Sequence, residues 1–409
     1  MKYRTIVGLL GAVGSLFLVS SASSEETKTI GFWKAPHSAD EAALWSPYIA
    51  EFEKAHPGVK IDHVITPWNT WNEAYTAAFA SGNAPCVSYM VDAFSPAFIY
   101  NKKFVDIDAA GWSDQVKGGY GPLWTVAHFG EMQVGVPFAT SPRMWLYNKD
   151  MFDKAGVKYP TDDWTMDDLV ETLRKLKASG VETPGNIPVA AAKLGYQSYL
   201  PFLWSMGGDI LDKSGKPRVD DDASVHTMKW LKALFDEKLI APIGNYSAQE
   251  GQDLFVRGSI AVQNMAAEVL GKLKAEAPDL KYGIVKSPTG PGGQHNFQDW
   301  GYFAIANECA YKEEAWEFVK FITSKQVVEQ YIAAVGLFPA RVDTNLYQSD
   351  PDGKAFLDNM AQNRNIPIVP KSNQIVDLWF KEVEAALSGI IAPEEAAKNA
   401  QASLERVLR

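Results

Sequence analysis

The run KTIGFWKAPHSADEAALWSPYIAEFEKAHPGVKIDHVI, residues 28–65, reads as strand, helix, strand. Its apolar opening at 28–33 leads into a loop, KAPHS. Ser38 and Glu41 then stand at capping-box spacing, which predicts a helix start. Trp45, Tyr48, Ile49 and Phe52 follow at i, i+3, i+4 and i+7, one buried face of a helix. Pro47 inside that stripe predicts a kink or an early end. His56-Pro57-Gly58 stops the helix, and Val59, Ile61, His63 and Ile65 alternate as a half-buried strand. A second helix over 71–79, closed at Ser81-Gly82, and a short strand over 87–91 complete the series. Strand, helix, strand, helix, strand is the order of a doubly wound α/β sheet. Ligands of such sheets sit beyond the carboxyl ends of the strands, where loops and helix N-termini converge. That rule points to 33–38, 67–69 and 92–95.

Upstream of this run, Lys2 and Arg4 precede an apolar stretch at 6–19 and a small-residue cluster, SSASS, at 20–24. The order is that of a secretory signal peptide, residues 1–22, with cleavage expected after Ala22 or Ser23. The apolar stretch is shorter than the roughly 20 residues that cross a bilayer. No cysteine stands at the junction, so the expected mature protein is periplasmic and not lipid-anchored. Downstream, a second domain is expected after 134–138, with helices at 166–176 (capped by Thr165), 225–235 and 315–322. The formal net charge is −10, which disfavours nucleic acid and anionic lipid as partners. Cys86 and Cys309 are the only thiols. In an oxidising compartment they can pair, while their apolar surroundings suit buried free thiols equally well.

The chemistry that is missing narrows the function. No GxSxG, GxGxxG, Walker, HExxH or CxxC pattern occurs, and the six histidines are scattered without metal-ligand spacing. No cofactor, metal or catalytic residue is expected. Asp350-Pro351-Asp352-Gly353 imitates the start of a calcium loop but lacks the later ligands, and reads as a turn. Asp162-Asp163, Asp167-Asp168 and Asp220–Asp222 lie beside turns and helix starts, where capping explains them. A secreted glycosidase, which needs only two carboxylates about 5–9 Å apart, stays open as another class. Aromatic content is high, with 13 Trp, 16 Tyr and 20 Phe. Trp45, Trp230 and Trp316 fall on helical stripes and read as core. Trp33, Trp68, Trp204, Trp300 and Trp379 are candidates to line a cleft, because an aromatic face suits the C–H face of a pyranose.

Several segments, taken in order, resemble the family 1 extracellular solute-binding proteins of ABC importers, the group that includes maltose-binding protein. They are FEKAHPGVKI (52–61), ASGNAPCV (80–87) and GVPFATSPRMWLYNKDMFDKAGV (135–157). GGDILDKSGKP (207–217), LFVRGSIAV (254–262), GLFPAR (336–341) and ALSGIIAPEEAAKNAQASLERVL (386–408) follow. Cys86 stands where the family's signature has Asp, which suggests packing at that position. The resemblance implies a periplasmic binding protein fold of type II. It has two doubly wound α/β lobes joined by three hinge crossovers near 138–142, 297–302 and 338–343. The N-lobe would comprise 23–138 plus 302–338, and the C-lobe 139–301 plus 339–409.

Carried over segment by segment, the resemblance has the solute meeting Trp33, His37, Ser38, Trp68 and Asp92 from one lobe. From the other it would meet Trp204 and Asn264, with Trp300, Tyr302 and Arg341 at the crossovers and Trp379 further along. The function implied is capture of a sugar between the lobes and delivery to ABC permease subunits, as a monomer, with a chemoreceptor as a further partner. A glycerol-phosphate-type anion or a polyol is the alternative solute. An anion would need clustered cations, and only Arg143 and Arg341 offer themselves.

Overall fold

The computed structural model describes residues 27–92, 94–360 and 363–409. The expected signal peptide lies outside the described residues. Among those described, no helix is long and apolar enough to cross a membrane.

The chain begins as read: β1 (Lys28–Lys34), α1 (Glu41–Ala55), β2 (Val59–Ile65), α2 (Trp71–Ser81) and β3 (Val87–Val91). β1 pairs in parallel with both β2 and β3, as two helical crossovers require. All five residues of β3 are buried, the mark of a strand covered on both faces. The first sheet has six strands, in the order Phe338–Pro339, Val136–Thr140, Trp300–Ile305, β3, β1, β2. Its core gathers Phe32, Trp45, Phe303 and Phe318, with ring centroids 5.2–6.1 Å apart.

α1 differs from its sequence reading in two ways. Its N-cap is Asp40, and no side chain caps it. The Glu41 carboxylate instead accepts the backbone N–H groups of His37 and Ser38, and Ser38 gives nothing back to the helix. Pro47 does not shorten the helix. The Ala43 carbonyl that loses its partner to the proline ring is taken by the Ser46 hydroxyl at 3.2 Å. Asp350 is likewise more than a turn residue, since it caps the helix Pro351–Asn359 by accepting from the Asp352 N–H. Thr165 and Asp168 form a capping box, and Asp221 caps Asp222–Asp236, as their positions suggested.

After Thr140 the chain leaves the first sheet and enters a second at Arg143–Asn148. This sheet runs Tyr282–Val285, Arg143–Asn148, Val262–Ala266, Gly185–Asn186. Its hydrophobic core is separate and draws in the helices Met166–Ala178, Tyr196–Ser205, Asp222–Asp236, Ser372–Leu387 and Pro393–Val407. The chain returns to the first sheet at Trp300 and leaves it again after Pro339. The result is two α/β lobes with three connections between them. Cys86 and Cys309 are joined in a disulfide beside the Val87–Ile305 pair of the first sheet. Of the two states the sequence left open, this is the bridged one.

Candidate functional site

Between the lobes lies a cavity of about 920 Å³, within the usual range for small-molecule sites. The first lobe contributes the ends of β1 and β3 and the turn before α2. His37, Trp68, Asn69, Tyr89 and Phe94 line it from there. All three segments singled out by the strand-end rule therefore reach the cavity edge. The opposite wall carries Tyr196 and Gln197 from the start of the helix Tyr196–Ser205, Glu268, and Asn373 and Asp377 from Ser372–Leu387. Ser141 and Asp299 come from the connections between sheets, and Thr140, Arg143 and Gly301 from the strand ends beside them.

Trp68 and Tyr89 are oriented on the wall by specific contacts. The Trp68 indole N–H donates to the Pro36 carbonyl at 2.7 Å, which ties the turn after β2 to the loop after β1. The Tyr89 ring stands edge-on to His37 at 5.2 Å. Its hydroxyl occupies the space that any side chain at Gly301 would need, so glycine there lets Tyr89 reach the wall.

At the connections, Arg143 donates to Gln197 Oε1 at 2.7 Å, and Gln197 Nε2 donates to Asp299 Oδ2 at 3.3 Å. Ser141 donates to Glu268 at 2.7 Å. Burial lifts the Asp299 carboxyl to about 7, outweighing the pull of Arg143, and burial also raises Glu268. Burial lowers Arg143, while Asp299 and Glu268 oppose that shift. Among the described residues, Glu73, Glu250, Glu268, Asp299 and Asp377 face the cavity with Arg143 as the single fixed cation. The excess of carboxylates makes this a poor place for an anion.

Behind His37 lies a buried ionic cluster. Lys34 is fully buried, with its Nζ 2.6 Å from Glu41 Oε1 and 2.7 Å from the Tyr331 hydroxyl. The ammonium also lies 4.9–5.0 Å from the ring centres of Tyr89 and Tyr331, within cation–π range. Burial lowers Lys34 to about 8, against the field of Glu41. Burial alone would raise Glu41, but Lys34 and His37 hold it near 2. His37 is pushed well below the usual histidine value, first by burial and then by the Lys34 charge.

Of the residues named from sequence, His37 and Trp68 are brought together on the cavity wall, their rings 5.6 Å apart. The others do not line it. Trp33 packs edge-on to Tyr75, and Ser38 accepts from the Asp40 N–H. Asp92 accepts the Trp300 N–H at 3.2 Å, which fastens the end of β3 to the returning strand. Trp300 and Tyr302 flank Gly301 but pack into the first lobe, where the Tyr302 hydroxyl meets Ser95 at 2.5 Å. Asn264 donates to Asn296. Arg341 forms a two-point contact with Asp343 and lies 5.0 Å over the Tyr120 ring. Trp379 is a core residue of the second lobe. Trp204 is also buried there, beneath a second concavity of about 680 Å³ and under the Arg364 guanidinium at 4.8 Å.

The model of the bacterial extracellular solute-binding protein family matches residues 35–329. A protein of Brucella abortus (strain 2308), named as a binding protein, is 26% identical over 413 residues, 98% of each chain. The maltose-bound MalE3 of T. maritima aligns with a TM-score of 0.83 and 22% identity, over 93% of this chain and 99% of that one. An ABC transporter solute-binding protein of Thermotoga lettingae TMO, bound with α-D-tagatose, gives a TM-score of 0.84 and 20% identity over 93% and 100%. At such identities the two structures speak for the fold.

Proposed function

We propose, from the premise that this chain belongs to the bacterial extracellular solute-binding protein family, that it captures a neutral sugar or polyol between its lobes for an ABC importer. The family is one of binding proteins and not of enzymes, so the site needs only to bind and release. The observation that carries the choice of solute is the make-up of the cavity. Aromatic rings from Trp68, Tyr89 and Phe94 offer stacking surface, and Gln197, Arg143 and the carboxylates offer hydrogen bonds. Both similar structures carry a neutral sugar. With five carboxylates and one arginine at the walls, a glycerol-phosphate-type anion is the weaker reading.

Binding works by population shift in this reading. Solute contacts both lobes only when they close, so it stabilises the closed form, whose outer surface the permease subunits recognise. The connections at 141–142, 298–299 and after Pro339 are the proposed hinges.

A thermal-shift panel of maltose, tagatose, arabinose oligomers, ribitol and glycerophosphodiesters tests the solute class. Stabilisation by one or more of the neutral compounds is expected. A shift with phosphorylated compounds alone would overturn it.

A further inference from the structure

His37 sits where the buried ionic cluster meets the cavity. Its Nδ1 lies 3.0 Å from Lys34 Nζ and 3.1 Å from the Tyr331 hydroxyl. The Tyr331 hydroxyl gives its own proton to Glu41 Oε1 at 2.7 Å, and the Lys34 ammonium also donates to the Ala35 carbonyl at 2.8 Å. An ammonium has donors and no lone pair, and the Tyr331 oxygen already accepts from Lys34, so a proton on Nδ1 would face the Lys34 charge with only that shared oxygen to receive it. A bare Nδ1 instead accepts from Lys34, whose three N–H groups are shared among Glu41, Tyr331, Ala35 and His37. The ring's other nitrogen, Nε2, has no partner among the described residues, and the ring lines the cavity between Trp68 and Tyr89.

We infer that Lys34 locks His37 as the neutral Nε2–H tautomer, so that the cavity wall presents a fixed hydrogen-bond donor and the solute must place an acceptor oxygen there. A hydroxyl or ring oxygen meets that demand and an ammonium does not. Lys34 is then a positioning residue that touches no solute. The charged and titratable groups around the ring are Lys34 on β1, Glu41 on α1, Tyr89 on β3 and Tyr331 on the helix Lys325–Val335. Glu41 is already engaged by Lys34, Tyr331 and Trp45 and by the backbone N–H groups of His37 and Ser38, and among the described residues it makes no hydrogen bond to the His37 ring. The inference deepens the solute-binding reading and rests on it for the meaning of the donor.

The tautomer can be read without any solute. Long-range proton–nitrogen spectra of the ¹⁵N-labelled protein should show one histidine with protonated Nε2 and bare Nδ1, unchanged from pH 5.5 to 8. Its absence in His37→Gln would assign it. An Nδ1–H tautomer, or an imidazolium at pH 5.5, would overturn the lock. Lys34→Met should convert that signal to a mixture of tautomers that titrates. An unchanged signal would remove Lys34 from the role. Should Lys34→Met fail to fold, Tyr331→Phe serves instead. It should keep the Nε2–H signal, and loss of the signal would assign the lock to the tyrosine. Any panel solute that stabilises the protein should shift the Nε2–H resonance, and a stabilising solute that leaves it unmoved would overturn the contact. A panel without a binder would sink the sugar reading while the solute-free spectra still judged the tautomer.

Discussion

Lys34 Nζ and Glu41 Oε1 meet at 2.6 Å with both side chains at 1% exposure or less, one at the end of β1 and the other at the first turn of α1. Breaking a buried pair costs more than the pair contributes, because the survivor is left charged and desolvated. Lys34→Met should therefore destabilise the fold by about 3–5 kcal/mol, read by urea unfolding. Lys34→Met/Glu41→Gln should recover part of this, since no charge is left buried and the amide oxygen can still accept from His37 and Ser38. Equal losses in the single and double variants would show that packing, not charge, dominates.

His63 lies on β2 beside the same cluster, stacked on Phe32 at 4.8 Å. Burial first, then the Lys34 charge, lowers it to about 4. In the unfolded chain it titrates near 6.5. Between those values the unfolded chain binds the proton and the folded one does not, so stability is lost as pH falls from about 6.5 to 4. The side chain is partly exposed, which trims the contribution to at most about 2 kcal/mol. His63→Phe keeps the stacked ring and removes the titration. The gap in Tm between variant and parent should widen in the variant's favour across that window. A gap independent of pH would refute the assignment.

How much of this was legible in the sequence depends on the distance over which the information acts. The elements of 28–91 were readable because a helical stripe such as Trp45, Tyr48, Ile49 and Phe52 is encoded within one or two turns. The strand-end rule named segments that reach the cavity edge because topology, not side-chain detail, brings loops together. It could not tell which residues face the cavity. Trp204, Tyr302 and Trp379 are large and aromatic, and aromatics serve a core as readily as a cleft. Asp299 and Gly301 line the wall while Trp300 between them does not, as the two-residue alternation of an extended segment places them, but which of the two faces meets the cavity is set by the packing of the lobes. The Lys34 cluster was hidden for a similar reason. Glu41 looked like a capping residue because its partner Tyr331 lies 290 residues away.

The Cys86–Cys309 bridge spans 223 residues of chain, including the whole second sheet, yet joins neighbouring positions of one lobe. Neither cysteine lines the cavity. Closing so long a loop restricts the unfolded chain, and removing such a bridge typically costs about 2–5 kcal/mol. Cys86→Ala/Cys309→Ala should lower the urea midpoint accordingly while leaving solute affinity at 25 °C within about twofold. A loss of affinity without a loss of stability would place the bridge in the binding mechanism instead.

The proposed closure can be probed at a contact between the lobes that lies outside the cavity. The Tyr100 hydroxyl on the helix Pro96–Tyr100 donates to the Ile368 carbonyl of the other lobe at 3.2 Å. Asn373 Nδ2 donates back to the Phe94 carbonyl at 3.3 Å. Asn373 lines the cavity and Tyr100 does not, so Tyr100 is the cleaner probe. Tyr100 is 40% exposed, and one hydrogen bond there contributes about 0.5 kcal/mol. If the bond exists only in the closed form, Tyr100→Phe shifts the lobes toward the open form and weakens solute binding about two- to threefold. Trp68→Ala removes a wall residue and should weaken binding more than tenfold, roughly 1.5 kcal/mol or more, with some loss of stability in the solute-free protein from the Pro36 hydrogen bond and the ring packing. Small-angle scattering separates the two causes. Solute-saturated Trp68→Ala should be as compact as the parent, whereas Tyr100→Phe should be more extended at a solute concentration that only half-saturates the parent. Identical scattering and affinity for Tyr100→Phe and the parent would mean that the bond plays no part in closure.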